Sequence, residues 1–149
     1  MIVGTYLFSQ MPTVVAKLVK DVQEGVDEAV KLIVEDGVNK MADSTPVDTT
    51  RAVSNWIVTI GSPASGEVPP HVPGSKGGTG APAARAATKG RAKAAVSGLR
   101  GAKAVYITNN VPYIGVLEYG DAKHRPSGMV SKGLQAMGVR ASSIQIVKT

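Results

Sequence analysis

Apolar residues recur at steps of three and four from Thr13 to about Asp43, which is the spacing of one face of an α-helix. They are Val15, Leu18, Val19, Val22, Val26, Ala29, Val30, Ile33, Val34, Gly37, Val38 and Met41. Pro12 suits the first turn of a helix, and Pro46 disfavours helical backbone just before it. The pattern predicts one long amphipathic helix near the start of the chain.

Charged residues occupy the opposite face of this predicted helix. They are Lys17, Lys20, Asp21, Glu24, Asp27, Glu28, Lys31 and Glu35. Gly25 and Gly37 each weaken a helix by about 1 kcal/mol relative to alanine, so the helix must depend on packing. A helix of roughly 30 residues is about 45 Å long, longer than a domain of this size usually needs. We therefore expect it to extend along a neighbouring subunit.

Alternation of apolar and polar residues marks strands later in the chain. The run AVSNWIVTIG predicts a strand that ends at Gly61, with Trp56 as an anchor in the core or at an interface. The run AKAVYITNN, residues 102–110, is rich in β-branched and aromatic residues and predicts a second strand. The final run, SSIQIVKT, is a candidate third strand. Together they predict a small, mostly antiparallel sheet.

Residues 61–80 are dense in Gly, Pro and Ser, which predicts a flexible loop without regular structure. Within it, GSKGGTG contains glycines whose backbone N–H groups could converge on an anion. This stretch matches neither G-x-x-x-x-G-K-[ST] nor G-x-G-x-x-G. A flexible loop is therefore the better interpretation.

Further helices are predicted on either side of the second strand. The alanine-rich run of residues 81–101 predicts a basic helix that has Pro82 in its first turn and ends near Gly98 or Gly101. VPYIGVLEYG predicts a turn or short helix closed by Gly120, and SGMVSKGLQAMGV predicts a short C-terminal helix. Its core-facing residues would be Met129, Val130, Leu134 and Met137. The predicted fold class is α+β, in a single domain of residues 1–149.

Composition restricts the classes of function. Hydrophobic residues make up 43% of the 149-residue chain but aromatic residues only 4%, which leaves few rings to stack on bases or sugars. The absence of cysteine excludes disulfides, thiolate metal sites and cysteine nucleophiles. No apolar run approaches the roughly 18 to 20 residues of a membrane span, and no basic leader segment is present. We expect a soluble protein with no membrane partner.

Charge is divided unevenly along the chain. Residues 1–50 carry four Lys and eight Asp or Glu, net −4. Residues 51–149 carry thirteen Lys or Arg and three acids, net +10, which gives the whole chain its +6. Such a division suits contact with a polyanion, or self-assembly in which the acidic face of one copy meets the basic face of another.

Candidate chemistry is sparse. The two histidines, His71 and His124, lie far apart and have no cluster of carboxylates beside them, so we expect neither a metal site nor a cofactor. Glu118, Asp121 and His124 are spaced three apart and could form an acid–base set, but ordinary ion pairs explain them as well. Residues 76–103 carry seven Lys or Arg and no acid, which suits non-specific contact with phosphates. Packing of a basic helix against an acidic neighbour explains these charges equally well.

Three ordered blocks resemble a known family. They are STPVDTTRAVSNWIVTIGSPA, the PG…GGTGAPAARAA stretch, and VYITNNVPYIGVLEYGDAKHRPSGMV. The family's TPVDTG-R step corresponds here to Thr45–Thr49 with Arg51, and its I-x-N-x-x-P-Y step to Ile107, Asn109, Pro112 and Tyr113. Its L-E-x-G step corresponds to Leu117, Glu118 and Gly120, and its P-x-G-[MF] step to Pro126, Gly128 and Met129. The chain resembles the neck and tail-completion proteins of long-tailed bacteriophages, including the HK97-type tail-component family and relatives of the lambda minor tail protein Z. Two departures are Thr50, where the family has glycine, and an early C-terminus.

The resemblance implies a structural, non-catalytic virion protein, assembled in the host cytoplasm. It would form a ring, hexameric in the family's usual form, at the head-proximal end of the tail. Its partners would be further copies of itself, the tail tube protein and the head-side connector or head-closure protein, with genomic DNA passing through the lumen. The alternative is a small basic protein that binds nucleic acid without sequence specificity.

Candidate residues follow from these two interpretations. Those for the subunit interface or a corner of the fold are Asp48, Arg51, Trp56, Asn109, Pro112, Tyr113, Glu118, Gly120 and Pro126. Those for the lumen or a docking face are Lys76, Arg85, Lys89, Arg91 and Lys93. Glu118 is expected to be a fixed partner for a backbone N–H or for a basic residue.

Overall fold

Residues 10–144 are described by the structure, a computed structural model. The elements in this part of the chain are α1 (Met11–Ser44), α2 (Arg51–Ser54), β1 (Ile57–Ile60), α3 (Ala81–Ser97), β2 (Val105–Thr108), α4 (Ile114–Tyr119) and α5 (Met129–Ser143). The fold class is α+β, as predicted, and helices dominate it.

Helix α1 confirms the long helix predicted from the apolar spacing. Pro12 lies in its first turn, where a missing backbone N–H costs nothing. The helix ends at Ser44, and Thr45 takes extended backbone, with φ −73° and ψ 123°, immediately before Pro46. This is the conformation that a following proline favours.

Helices α1 and α5 pack closely and run in opposite directions. Gly133 of α5 lies against Met41, and Met137, one turn later in α5, lies against Gly37 of α1. A Cβ on Gly133 would stand 2.5 Å from Cε of Met41 and 3.1 Å from the carbonyl oxygen of Gly37. Glycines that weaken the isolated helices therefore allow the two backbones to approach each other.

The sheet has two antiparallel strands in the described residues, with Ile57 paired to Thr108 and Ile60 paired to Val105. The main hydrophobic core of the protein lies among this sheet, α1, α3 and α5. The core consists of Val34, Val38, Met41, Trp56, Val58, Ala92, Val96 and Met129. Trp56 is 3% exposed. It is therefore an anchor of the core, one of the two roles predicted for it.

The first predicted strand begins too early. Residues 51–54 form the helical turn α2 instead. The Oγ of Ser54 donates to the carbonyl of Thr50 at 2.6 Å, and the Nδ2 of Asn55 donates to the carbonyl of Arg51 at 2.8 Å. Short polar side chains that bond nearby carbonyls in this way compete with strand pairing.

The predicted third strand is wrong where the structure describes it. Ser142 and Ser143 belong to α5, and each donates its Oγ to a carbonyl three residues earlier. Residues 145–149 of the prediction lie outside the described residues. In the same helix Met129 is buried and Val130 and Met137 pack against the core, whereas Leu134, also predicted to face the core, is 59% exposed.

Asp27, one of the charged residues on the polar face of α1, fastens a distant turn to this helix. Its side chain is buried, and its two carboxylate oxygens accept the N–H groups of Gly101 and Ala102, each at 2.9 Å. These bonds fasten the turn between α3 and β2 to α1. From Met11 to Glu24, by contrast, every residue of α1 except Val14 is exposed.

Candidate functional site

Two distant motifs, STPVDTTR at residues 44–51 and ITNNVPYIGVLEYG at residues 107–120, meet in the folded chain. Between them lies a cleft of about 510 Å³, hereafter the motif cleft, lined by residues 46–52, Tyr113 and Leu117. Tyr113, just before α4, and Leu117, four positions later in that helix, both line this cleft.

Asp48 ties the 61–80 loop to the motif cleft. Its Oδ1 accepts the N–H of Gly77 at 2.6 Å, and its carbonyl accepts the N–H of Gly78 at 3.3 Å. Gly78 has φ 76°, and a Cβ there would lie 2.8 Å from the carbonyl oxygen of Val47. A close approach of two backbones thus explains this glycine of the GSKGGTG stretch without an anion.

Arg51 joins three segments at the rim of the cleft. Its guanidinium donates two hydrogen bonds of 2.8 Å each to the carboxylate of Glu67, the bidentate geometry that suits this pair. The same guanidinium lies 5.7 Å from the ring centroid of Tyr113, within cation–π range. The hydrogen bond from Arg51 lowers the pKa of Glu67, and burial raises the pKa of Tyr113.

The 61–80 loop has no helix or strand, as predicted, but polar contacts hold it against α2. The amide side chain of Asn55 donates to the carbonyl of Val68 at 3.1 Å and accepts its N–H at 2.8 Å. The Oγ of Ser54 accepts the N–H of His71 at 2.8 Å. That the loop is flexible stays a prediction.

Thr50, which stands where the resembling family has glycine, takes φ 65° and ψ −1°. This left-handed backbone suits glycine and strains a β-branched residue. The Thr50 side chain is 1% exposed, and its Oγ1 lies 3.3 Å from both the N and the O of Val72. Thr50 thus packs against the 61–80 loop while its own backbone is in an unfavourable conformation.

Glu118 occupies the corner between α4 and α5 and is 7% exposed. One carboxylate oxygen accepts the N–H of Val130 at 2.8 Å, and the other accepts the N–H of Ser131 at 3.3 Å and its Oγ–H at 3.4 Å. A carboxylate here satisfies N–H groups that have no partner within the helix and is favoured by the helix dipole. The prediction that Glu118 is a fixed partner for a backbone N–H is confirmed.

The remaining corner residues shape the chain around Glu118. Gly120 has φ 75°, and a Cβ there would lie 2.6 Å from the carbonyl oxygen of His124 and 2.8 Å from the nitrogen of Pro126. Asn109 donates its Nδ2 to the carbonyl of Ala52 at 2.9 Å, which connects the second motif to α2, one residue after the first motif ends. Pro112 is exposed and lies in the turn that leads into α4.

The candidate acid–base residues fall into separate hydrogen-bond networks. Asp121 Oδ1 lies 2.8 Å from Nδ1 of His124, and both side chains are exposed. The N–H of Lys123, and next the His124 ring, lower the pKa of Asp121 by bonding to its carboxylate. Glu118 is bonded instead to the first turn of α5. The contacts of Asp121 with His124 and of Glu118 with α5 stabilise the local structure of two separate segments.

The basic residues divide into an internal set and an exposed pair. Arg85 donates to two carbonyls at the end of α1, each at 3.1 Å, and Lys89 pairs with a carboxylate of α1 at 2.7 Å. Arg91 donates to carbonyls at the end of α2 and just after it, and burial lowers its pKa. Lys76 and Lys93 are exposed. Of the five candidate basic residues, these two lysines are the most accessible to DNA or a partner, and that contact stays a prediction.

Three structural residues were not among the predicted candidates. Asp27, Asn55 and Glu67 fasten distant segments, with partners up to 75 positions away in sequence. The signal for Glu67 was present, since it is the one acid in the Gly/Pro-rich loop. Asn55 carried a weaker signal, because an amide inside an apolar strand pattern needs hydrogen-bond partners.

Two further kinds of site, metal-binding clusters and membrane-spanning helices, can be checked in the described part of the chain. Residues 10–144 contain no group of three His, Cys, Asp or Glu side chains placed to hold a metal ion. None of the helices in this range has both the length and the apolar character needed to cross a membrane.

Comparison of the chain with protein-family models, with curated proteins and with solved structures finds no match in any of the three. A proposal for its function therefore depends on the sequence blocks and on the contacts described above.

Proposed function

We propose that this chain is a structural protein of a bacteriophage virion. It forms a ring at the head-proximal end of the tail, where it completes the tail tube and joins it to the head. The observation that carries the proposal is the meeting of the two family-like motifs in one cleft. Asp48, Arg51 and Tyr113 come from distant parts of the chain, and their contacts position a loop and a helix.

The exposed half of α1 supports an assembly role. A helix segment that stays exposed among the described residues, as Met11–Glu24 does, contributes little to the stability of that part of the subunit, but it can reach a neighbour. The uneven charge distribution favours the same role, because an acidic surface on one copy can meet a basic surface on the next. Contacts between two different surfaces close into rings when the rotation between copies permits.

The docking face of the proposed ring would include the 61–80 loop. The loop lies beside the motif cleft and carries an exposed lysine, Lys76. Three of the five candidate basic residues donate hydrogen bonds or ion pairs within the subunit, which leaves fewer of their N–H groups to bind phosphates. DNA that must slide through a lumen is held less tightly when fewer N–H groups bind its phosphates, so these contacts favour the ring over the alternative of a nucleic-acid-binding protein.

Addition of the purified protein to tubes assembled from the tail tube protein tests this function. Negative-stain images should show a ring capping one end of each tube. Arg51→Ala, which removes the contacts with Glu67 and Tyr113, should reduce capping. Lys132→Ala is the control, because Lys132 is an exposed residue of α5 that is not among the candidate residues. A protein that never associates with tubes, and binds DNA as a monomer with affinity that falls steeply with salt, would contradict the proposal.

A further inference from the structure

Five apolar side chains form an exposed stripe along the first half of α1. Their exposed fractions are 44% for Met11, 51% for Val15, 59% for Leu18, 51% for Val19 and 37% for Val22. Steps of three and four place all five on one face, hereafter the α1 stripe. Singly scattered apolar residues are common on protein surfaces, but a contiguous patch marks an interaction site.

The stripe-bearing segment lacks internal support. From Met11 to Glu24 the segment is about as long as the 12 to 15 residues at which an isolated helix is marginal in water. Gly25, at the end of this segment, weakens it further. Within residues 10–144 no other element buries the stripe. A partner that covers these side chains would remove their apolar surface from water and stabilise the helix.

The same chain carries an open apolar groove. Its volume is about 440 Å³, and it lies among the second half of α1, strand β2 and helix α5. Its lining includes Ile33, Ile107, Leu134 and Met137, and Lys103 is the charged residue among the lining side chains. Leu134, whose exposure contradicts its predicted core position, lies in this groove with 59% of its surface exposed. We name it the α5 groove.

We propose that the α1 stripe of one copy lies in the α5 groove of a second copy. The inference rests on the proposed ring, because it names the contact between its subunits. Stripe and groove are both apolar, and their flanking charges are opposite. Asp21, which pairs with Lys17 of the same helix, flanks the stripe near Val22, while Lys103 borders the groove. Opposite charges at the rim of an apolar contact favour one register and one partner.

The area involved suits a contact that ring closure reinforces. One face of an α-helix from Met11 to Val22, about 18 Å long, exposes on the order of 350 Å² of accessible surface. A single contact would bury one stripe and one groove, roughly 700 Å² in total, which is below the ~1,200 to 2,000 Å² of a stable interface. Because every copy in a closed ring makes two such contacts, closure would reinforce a contact that is weak between two isolated copies. Stripe and groove are different surfaces, so the contact is heterologous and leaves each copy able to bind on both sides.

Disulfide formation between copies tests the pairing, because the chain contains no cysteine of its own. Tagged Leu18→Cys protein is mixed with untagged Leu134→Cys protein, oxidised, and separated without reductant. A mixed disulfide dimer is expected. Val139→Cys is the matched control, since Val139 lies on α5, is 68% exposed and does not line the groove. Equal cross-linking of Leu18→Cys to Val139→Cys, or preferential Leu18→Cys homodimers, would overturn the pairing.

Self-association measured by analytical ultracentrifugation gives an independent test. Leu18→Glu should weaken association ~30-fold, because a charge replaces a leucine that the contact would bury. Thr13→Glu places the same side chain on the opposite face of α1 and should leave association unchanged. Circular dichroism of both variants checks that helix content is retained. Unchanged association of Leu18→Glu would overturn the inference, as would a wild-type chain that stays monomeric at high micromolar concentration.

The two proposals fail differently in these experiments. Two results together would overturn the stripe-in-groove contact and leave the ring intact. They are rings that form equally well with Leu18→Glu, and the absence of a mixed disulfide between Leu18→Cys and Leu134→Cys. A mixed disulfide within a closed dimer of two copies would uphold the contact and contradict the ring. A mixed disulfide within closed rings of more than two copies supports both.

Discussion

Glu118 determines how α5 leaves the corner after α4. Its carboxylate accepts two backbone N–H groups and one hydroxyl from Val130 and Ser131, while the side chain itself is almost fully buried. A buried carboxylate needs such donors, and the first turn of a helix supplies them where the helix dipole also favours negative charge. In the proposed ring, this residue would orient the helix that lines the α5 groove.

Replacement of Glu118 by glutamine should lower the free energy of unfolding by about 2 kcal/mol, because hydrogen bonds to a charged acceptor are lost and an amide N–H₂ faces backbone donors. Urea unfolding followed by circular dichroism measures the change. Glu28→Gln is the control, since Glu28 is exposed and its ion pair with Lys31 should contribute less than about 1 kcal/mol. Equal stability of the two variants would show that the corner does not depend on this carboxylate.

His71 should make stability depend on pH. Burial, and next the charge of Arg91, lower the pKa of His71 below its ordinary value of 6.5. The unfolded chain therefore binds a proton at pH values where the folded protein does not. Stability should fall as pH decreases through about 6.5 and level off below the folded pKa. In His71→Gln this part of the fall should be absent. Parallel plots of unfolding free energy against pH for the two proteins would contradict the assignment.

Helix α1 could be predicted because its apolar spacing persists over many turns and its ends carry prolines. The adjacent strand could not be delimited, because apolar and polar residues also alternate through α2. Hydrogen bonds from Ser54 and Asn55 to preceding carbonyls decide that segment for the helical turn. Local spacing gives no information on such competition between side chain and backbone.

The motif cleft was predictable only in part. Spacing and resemblance selected Asp48, Arg51 and Tyr113, but their partners depend on which segments the fold brings together. The pairing of Arg51 with Glu67 spans 16 positions, and that of Asp48 with Gly77 spans 29. Sequence periodicity cannot identify contacts at those separations, because it reports only which face of an element is apolar.

Alanine substitution at two glycines of α5, Gly133 and Gly138, should have opposite effects on the free energy of unfolding. Gly133→Ala should lower the free energy of unfolding by about 1 to 3 kcal/mol, because its Cβ would overlap Met41 and approach the backbone of α1. Gly138→Ala, in the same helix, meets nothing within 4 Å and should raise the free energy of unfolding by up to about 1 kcal/mol. Thermal unfolding compares the two. A stabilised Gly133→Ala protein would contradict this packing.

Within residues 10–144, the subunit combines a well-packed body with a helix segment, Met11–Glu24, that is exposed apart from Val14. Acidic α1 and the basic remainder partly neutralise each other through Lys89 with Asp43 and Arg140 with Asp36. The outer half of α1, Lys76 and the α5 groove remain available at the surface. A subunit with separate donor and acceptor surfaces suits the proposed ring better than a solitary protein would.

Electron microscopy of the purified protein, with averaging of single particles, tests the ring most directly. The proposal predicts closed rings of several identical copies around an open lumen, present without DNA and without a tail tube. Monomers or closed dimers at every concentration, with larger particles appearing only when DNA is added, would contradict it.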